Sequence, residues 1–443
     1  MTFDTAILGA SLDSLEATAG KPSRYVIAFS GGLDSTVLLH ALQARSGQHE
    51  IPIIAIHVDH GLQDDAGDWN RHCESVASDL GIAYRCLSVT VQLESGKGPE
   101  ASAREARYTA LHGELRAGDW LLSAHHREDQ AETLLLNLVR GSGPAGIAGI
   151  GSLRRFGPGW LARPLLDVER TALRDYADSA GLDWVEDPSN QDRRFDRNFL
   201  RHEVVPRLRS RWPDIAARLN RSARHSGEAA ELLAELAEID LDTMGGRPER
   251  LPIDRLTLLS RARQRNLIRF ALRRLGLATP TALQLRRVLG ELIPAREDAQ
   301  PLVSWPGGSV RRYRNGLYLL PEKLDAAPES TCLADSELEL GSGLGVLRFV
   351  PGADRGLSEG LYSRGLRLAF RQGGEEIQPF GHRHTRKLKK LLQEEGIVPW
   401  MRDRLPLIYA GERLVAVADL WLAADAVSEP GVALRWDGRP ALH

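Results

Sequence analysis

The sequence predicts an α/β fold, a doubly wound parallel sheet, followed by an α-helical domain and a small α+β C-terminal domain. Three observations predict it. Between residues 24 and 190, short β-rich runs alternate with helical patterns of apolar residues. From 206 to 293 only the helical spacing recurs. After Pro294 short apolar runs separated by Gly- and Asn-containing turns take over. The length of 443 residues, with 42% hydrophobic and 26% charged positions, leaves room for two to four such domains and excludes a disordered or fibrous chain.

The strands expected first are residues 25–29, 51–58, 83–91 and 120–123, and the helices between them 36–44, 69–80, 99–116 and 129–140. Parallel strands need such crossovers, and ligands of these sheets sit at the carboxyl ends of the strands. Residues 229–239 then form an acidic amphipathic helix. Segments 261–275 and 280–293 carry Leu and Ile at helical intervals, with Thr279-Pro280-Thr281 as a start signal, so a bundle-like second domain is expected. Arg314-Asn315-Gly316, Gly341-Ser342-Gly343 and Gly411 mark turns in the last third, and one helix, 385–395, ends at Gly396 and Pro399. The acidic stretch 325–359 reads as a boundary between modules. The resulting domains are 1–212, 213–325 and 326–443.

Charge alone says little about partners. The formal charge is −2, and the 57 basic residues, only six of them lysines, are spread along the chain. Locally they concentrate: 193–211 holds seven arginines against two acids, 261–287 eight arginines and no acid, and 382–390 five Lys and Arg. A solvated face is the ordinary meaning of such runs, and a phosphate backbone is the functional one. Three cysteines, Cys73, Cys86 and Cys332, form no CxxC pair and point to a reducing, cytoplasmic compartment. No export signal and no run of 18 apolar residues is present.

The strongest local signal follows the first strand. Ser30-Gly31-Gly32-Leu33-Asp34-Ser35-Thr36 opens a helix, and its two glycines allow backbone N–H groups and the helix N-terminus to converge on an anion. An ordinary capped turn is the plainer reading of a bare Gly-Gly pair. The Walker A lysine and the G-x-G-x-x-G pattern are both missing. In its strand-to-helix setting, however, SGGLDS resembles the PP-loop of the N-type ATP pyrophosphatases, an adenine nucleotide α-hydrolase-like fold. That resemblance implies ATP cleavage between the α and β phosphates, with Ser30, Gly31, Gly32, Leu33, Asp34 and Ser35 at the nucleotide. It also implies magnesium at Asp34, since a hard cation favours carboxylate oxygen. His57 and Asp59, closing the second strand, are expected beside ATP; metal ligation by His57 and His60 is disfavoured.

Further motifs narrow the subfamily. Sulfur-inserting relatives need cysteines to carry sulfur or a cluster, and glutamine-dependent ones need a cysteine nucleophile. The absence of any CxxC pair disfavours the first, and the lack of any cysteine before Cys73 or in a nucleophile-like turn weakens the second. The blocks HVDHGL (57–62), GPEASAREARY (98–108), AHHREDQAET (124–133), RGSGPAGIAGI (140–150), RPLLDVER (163–170), WVEDPSNQD (184–192) and RNFLRHEV (197–204) resemble the tRNA(Ile)-lysidine synthetase family, as does 370–411 near the C-terminus. One departure is Glu128, where the family commonly has aspartate.

The resemblance implies ATP and Mg2+ as cosubstrate and cofactor, and as partners L-lysine and a tRNA(Ile) with a CAU anticodon. The wobble cytidine is adenylated at its C2 oxygen, and the lysine side-chain amine then displaces AMP to give lysidine. The residue types suit these steps. Arg104, Arg107 or Arg201 would meet phosphate, and Asp129 and Glu132, three apart on one helix face, would meet the incoming ammonium. One of these carboxylates, His125 or His126 would take a proton. Taken alone, Asp129 and Glu132 would more simply complement the helix dipole; the surrounding motif favours the catalytic role. Arg197 and Asn198 are expected at substrate. A tRNA thiolase and a non-catalytic tRNA-binding protein remain as alternatives. Trp212, Trp305 and Trp400 could stack on bases, although packing is the commoner use.

Overall fold

The computed structural model describes residues 2–46, 51–61, 66–91, 99–297, 299–333 and 336–443; Leu62 and Gly98 of the quoted motifs lie outside them. The chain divides into two compact units, Met1–Leu232 and Leu233–His443.

The first unit opens with helix α1 (Thr5–Ala19), capped by Asp4, whose carboxylate accepts from the Ile7 N–H at 2.8 Å. Then follow β1 (Arg24–Ala28), α2 (Leu33–Ser46), β2 (Ile53–Asp59), α3 (Ala66–Asp79), β3 (Ala83–Ser88), α4 (Pro99–Glu114), β4 (Asp119–Leu122) and α5 (Arg127–Val139). After the short α6 (Pro144–Ile147) come β5 (Leu153–Phe156), β6 (Gly159–Ala162) and α7 (Arg170–Ser179). The sheet order is β3-β2-β1-β4-β6-β5, with all pairings parallel except that of the edge strand β5. The βαβα reading is thus met, and the β5-β6 hairpin extends it.

Alternation along the central strands shows why both faces are covered. Tyr25, Ile27 and Phe29 join Trp120 and Leu122 in a core with α1, α2 and α7, while Val26 and Leu121 face Leu111 of α4 and Leu115 just beyond it on the other side. A one-residue slip would exchange these faces, so the register is strongly specified.

Beyond the sheet lie α8 (Asp196–Phe199), a π-helical turn (Leu200–Val204), α9 (Val205–Arg211) and the long α10 (Ile215–Thr243), within which the two units divide. In the second unit, β7 (Arg250–Pro252), α11 (Ile253–Leu258), α12 (Arg261–Arg274) and α13 (Ala282–Arg287) precede β8 (Leu302–Trp305), β9 (Gly308–Tyr313) and β10 (Gly316–Leu320). The expected helices are present, but they do not form a bundle of their own. Leu267, Ile268 and Leu272 share a core with Val303, Val310 and Leu317 of a four-stranded antiparallel sheet, β7-β10-β9-β8. Trp305 is buried there, and Trp400 packs edge-on against Tyr313 and Tyr318, so both tryptophans serve packing; Trp212 is exposed. Within the acidic stretch 325–359 the strand Val346–Ala353 pairs with Gly431–Asp437. The helix Leu388–Glu395 ends at Gly396, whose φ of 84° only glycine adopts readily.

Candidate active site

The site is built on the turns that follow β1, β4 and β6. After β1, Gly31 takes φ 72°, and a Cβ there would lie 2.7 Å from Cys73 Sγ and 2.8 Å from Trp69 Nε1. Glycine is therefore required twice over, for its dihedral and for its room. The loop is tied from outside: the Val185 N–H donates to the Gly31 carbonyl at 2.9 Å, and Trp69 Nε1 to the Ser30 carbonyl at 2.6 Å. Inside it, Ser35 Oγ accepts from the Ser30 N–H at 3.2 Å and lies 3.0 Å from Ser30 Oγ. Thr36 Oγ1 donates to the Gly32 carbonyl at 3.1 Å. These contacts fix the turn so that its amides need no rearrangement to meet an anion.

Asp34, in the first turn of α2, is the unusual member. Its Oδ1 is buried without a hydrogen bond, the Arg170 Nε lying 3.8 Å away, and its Oδ2 is 3.6 Å from His126 Nε2. Burial pushes the Asp34 carboxyl above its ordinary value. A buried carboxylate oxygen with a spare lone pair suits a hard cation.

After β4 the chain turns at Ser123–His126 into α5. His126, buried, stands among three carboxylates: Glu128 Oε2 at 3.2 Å from Nδ1, Asp129 Oδ2 at 3.5 Å and Asp34 Oδ2 at 3.6 Å from Nε2. Burial opposes its charge, but Asp129, Glu128 and Asp34 together raise the imidazole to about 9, so it is cationic at neutral pH. The His126 backbone N–H also donates to Asp129 Oδ2 at 3.0 Å, closing the first turn of the helix. Neighbouring His125 behaves oppositely. Burial lowers it to about 3, and its Nδ1 lies 2.6 Å from Ser123 Oγ.

Asp129 and Glu132 do share a face, and that face is met by two arginines from α8 and the π-helical turn. Arg197 reaches Asp129 Oδ1 at 3.0 Å and Glu132 Oε2 at 2.9 Å. Arg201 reaches Glu132 at 2.7 and 3.0 Å and Asp129 Oδ1 at 3.2 Å. Burial disfavours the Asp129 charge, yet His126 and Arg197 hold its carboxyl below the usual range. Asn198, between them in sequence, braces a different segment by donating to the Ser189 and Asp192 carbonyls at 2.9 and 3.0 Å.

The structure does not join every expected residue to this cluster. His57 Nδ1 lies 3.0 Å from the Phe29 carbonyl, and Asp59 accepts from the Gly61 N–H at 2.8 Å, so both shape the strand ends beside the loop. Arg104 lies over the Tyr108 ring of its own helix at 5.1 Å. Among the described residues, neither Arg104 nor Arg107 hydrogen-bonds to the carboxylates of the cluster. Sequence reasoning missed Arg170, Arg209, Trp69 and Val185. Arg170 and Val185 stood within the quoted blocks and Arg209 within the arginine-dense run 193–211, but nothing local in the sequence told their contacts; Trp69 carried no motif.

A PP-loop domain model matches residues 8–208. Models of the TilS substrate binding domain and the TilS substrate C-terminal domain match residues 251–318 and 366–436. The chain is 45% identical over 424 residues to the tRNA(Ile)-lysidine synthase of Alkalilimnicola ehrlichii, covering 94% of each chain. The chain belongs to the tRNA(Ile)-lysidine synthase family. Another lysidine synthase, from Methylococcus capsulatus, is 41% identical over 95% of this chain and 97% of its own, and that of Coxiella burnetii 41% identical over 89% and 88%. In this lysidine synthase family member the PP-loop domain is the ATP-using part, and the other two matches provide for a tRNA substrate. Among the described residues, no helix is long and apolar enough to cross a membrane.

Proposed function

We propose that the chain joins L-lysine to C2 of the wobble cytidine of a CAU-anticodon tRNA(Ile), using ATP and releasing pyrophosphate and AMP. The observation that carries this reading is a tied phosphate loop beside a buried cluster of charged groups, in a chain that aligns with lysidine synthases along nearly its whole length. In the first step the cytidine C2 oxygen attacks the α phosphate and pyrophosphate leaves. In the second the lysine side-chain amine attacks C2, the C2–O bond breaks and AMP leaves, while the amine gives up its proton.

The residues divide that work. The amides of Gly31 and Gly32, with Ser30, Leu33 and Ser35 completing the loop, hold the pyrophosphate portion, and His57 and Asp59 border the nucleotide. Asp34 would hold Mg2+, which adds positive charge to the phosphates when bound. Asp129 and Glu132, whose oxygens already receive Arg197 and Arg201, anchor those guanidinium groups as donors to phosphate; a lysine ammonium reaching the carboxylates would compete with both arginines. With His126 already protonated, His125 is the neutral imidazole able to accept a hydrogen bond from the incoming amine. Arg104 and Arg107 remain for the tRNA or nucleotide phosphates, and Asn198 supports substrate contact through the loop it braces. Domain limits near 212 and 325 and a cytoplasmic setting accompany this reading.

The test is direct. Purified chain with ATP, magnesium, labelled lysine and the CAU-anticodon tRNA(Ile) incorporates lysine into the tRNA; a folded chain that incorporates none, or that transfers labelled sulfur, overturns the proposal.

A further inference from the structure

Glu128 lies outside the roles assigned so far, yet three elements end on its carboxylate. Its Oε2 accepts from the Arg170 backbone N–H at 3.0 Å and stands 3.2 Å from His126 Nδ1, while its Oε1 accepts from Arg209 at 3.0 Å. Arg170 opens α7, and Arg209 lies on α9. Two of these contacts lead on to one residue of the phosphate loop. His126 faces Asp34 Oδ2 at 3.6 Å, and Arg170 Nε faces Asp34 Oδ1 at 3.8 Å, so each oxygen of Asp34 faces a residue that Glu128 contacts.

The third contact leads outward. The Glu128 side chain is only 13% exposed, whereas that of Arg209 is 44% exposed, at the surface of the arginine-dense segment. Charge-assisted bonds to a nearly buried carboxylate are strong and directional, and Glu128 takes two of them, from the Arg170 N–H and from Arg209, with the His126 ring at ion-pair distance. Burial works against the Glu128 charge, but the His126 and Arg170 contacts more than offset it and hold the carboxyl at about 2.

We propose that Glu128 is a positioning residue that couples the arginine-dense α9 to the phosphate loop: held by Arg209, it fixes His126 and Arg170, and through them the two oxygens of Asp34. Among the described residues Arg209 makes no hydrogen bond or ion pair to the loop, so a loss on its removal that Glu128→Gln already contains passes through Glu128. The inference rests on ATP binding at the Asp34 loop.

The experiment is a double-mutant cycle read as ATP affinity by titration calorimetry on the full chain, with melting temperatures recorded in parallel. Glu128→Gln and Arg209→Gln each weaken ATP binding at least threefold without a matching fall in melting temperature, and the double variant is no weaker than Glu128→Gln alone. Glu128→Asp, charged but one methylene shorter, falls between Glu128→Gln and the unsubstituted chain. Arg85→Gln, whose partner is Glu114, leaves ATP affinity unchanged. Additive losses, or an Arg209→Gln variant that binds ATP normally, overturn the coupling alone. Should Glu128→Gln fail to fold, the exposed Arg209→Gln decides by itself. An unsubstituted chain that binds no ATP overturns the nucleotide reading and this inference together.

Discussion

Arg201 grips Glu132 with a two-pronged hydrogen bond, Nε to Oε1 at 2.7 Å and a terminal nitrogen to Oε2 at 3.0 Å, and the carboxylate it holds is only 2% exposed. Neither partner is dispensable to the other. A buried carboxylate without its cations, or two guanidinium groups without their carboxylate, leaves charge uncompensated in a poorly solvated place, which costs about 3 kcal/mol or more. Glu132→Gln should therefore lower stability by that order in urea unfolding. Arg201→Lys, which keeps the charge and loses the fork, should cost clearly less. Equal costs would place the strength in the fork rather than in the charge.

Asp34 presents the opposite balance. Its carboxyl is raised by burial, so the folded state holds its proton more tightly than the unfolded chain, and its contribution to stability fades as pH rises through the folded value. At neutral pH the ionised form is a cost. Asp34→Asn should hold or raise the melting temperature at pH 7.5 while lowering ATP-dependent pyrophosphate release at least a hundredfold. A variant that melts well below the parent would show that Asp34 supports the fold rather than the chemistry.

His126 supplies the pH dependence. Its imidazole is raised from an ordinary 6.5 to about 9, so below 6.5 both folded and unfolded states carry the proton and the stabilisation is complete. Between 6.5 and 9 only the folded state keeps it, and the stabilisation declines, to vanish above 9. The amount at stake is on the order of 3 kcal/mol. Melting curves between pH 6 and 9.5 should show the unsubstituted chain losing more stability than His126→Gln. Parallel curves would contradict a protonated His126.

Gly31→Ala tests the loop itself. The new methyl would press on Cys73 and Trp69 at a φ that alanine disfavours by about 1 kcal/mol or more. ATP binding should fall at least tenfold. Gly67→Ala, in α3 with no atom within 4 Å of the added carbon, should leave binding intact and slightly favour the helix. Titration calorimetry of the two variants side by side reads the difference.

Some of this architecture stood in the sequence plainly. The alternation of β runs and helices, the Gly-Gly turn after the first strand and the helix opening at residue 127 are local signals, and each names its own element. Even α1 carried a signal, with Leu8, Leu12 and Leu15 on one face behind an Asp4 cap, although it escaped the reading. The partners did not stand there. Glu132 meets Arg197 and Arg201, 65 and 69 residues on, and no periodicity encodes such a meeting. Three-residue spacing reveals that Asp129 and Glu132 share a face, and says nothing about the arginines that also meet that face. His125 and His126 were indistinguishable as letters. Only burial and three neighbouring carboxylates set one neutral and the other charged.

The antiparallel edge strand β5 has a use beyond completing the sheet. An outermost strand offers unpaired amides to any passing chain, and cells keep such borders quiet with charge. Here Arg154 lies over Phe156 and Arg155 over Trp160, at 5.4 and 4.0 Å, so the apolar rings of the border are roofed by guanidinium groups. Charge therefore covers the apolar rings at this border, the device by which a sheet edge avoids pairing with another chain.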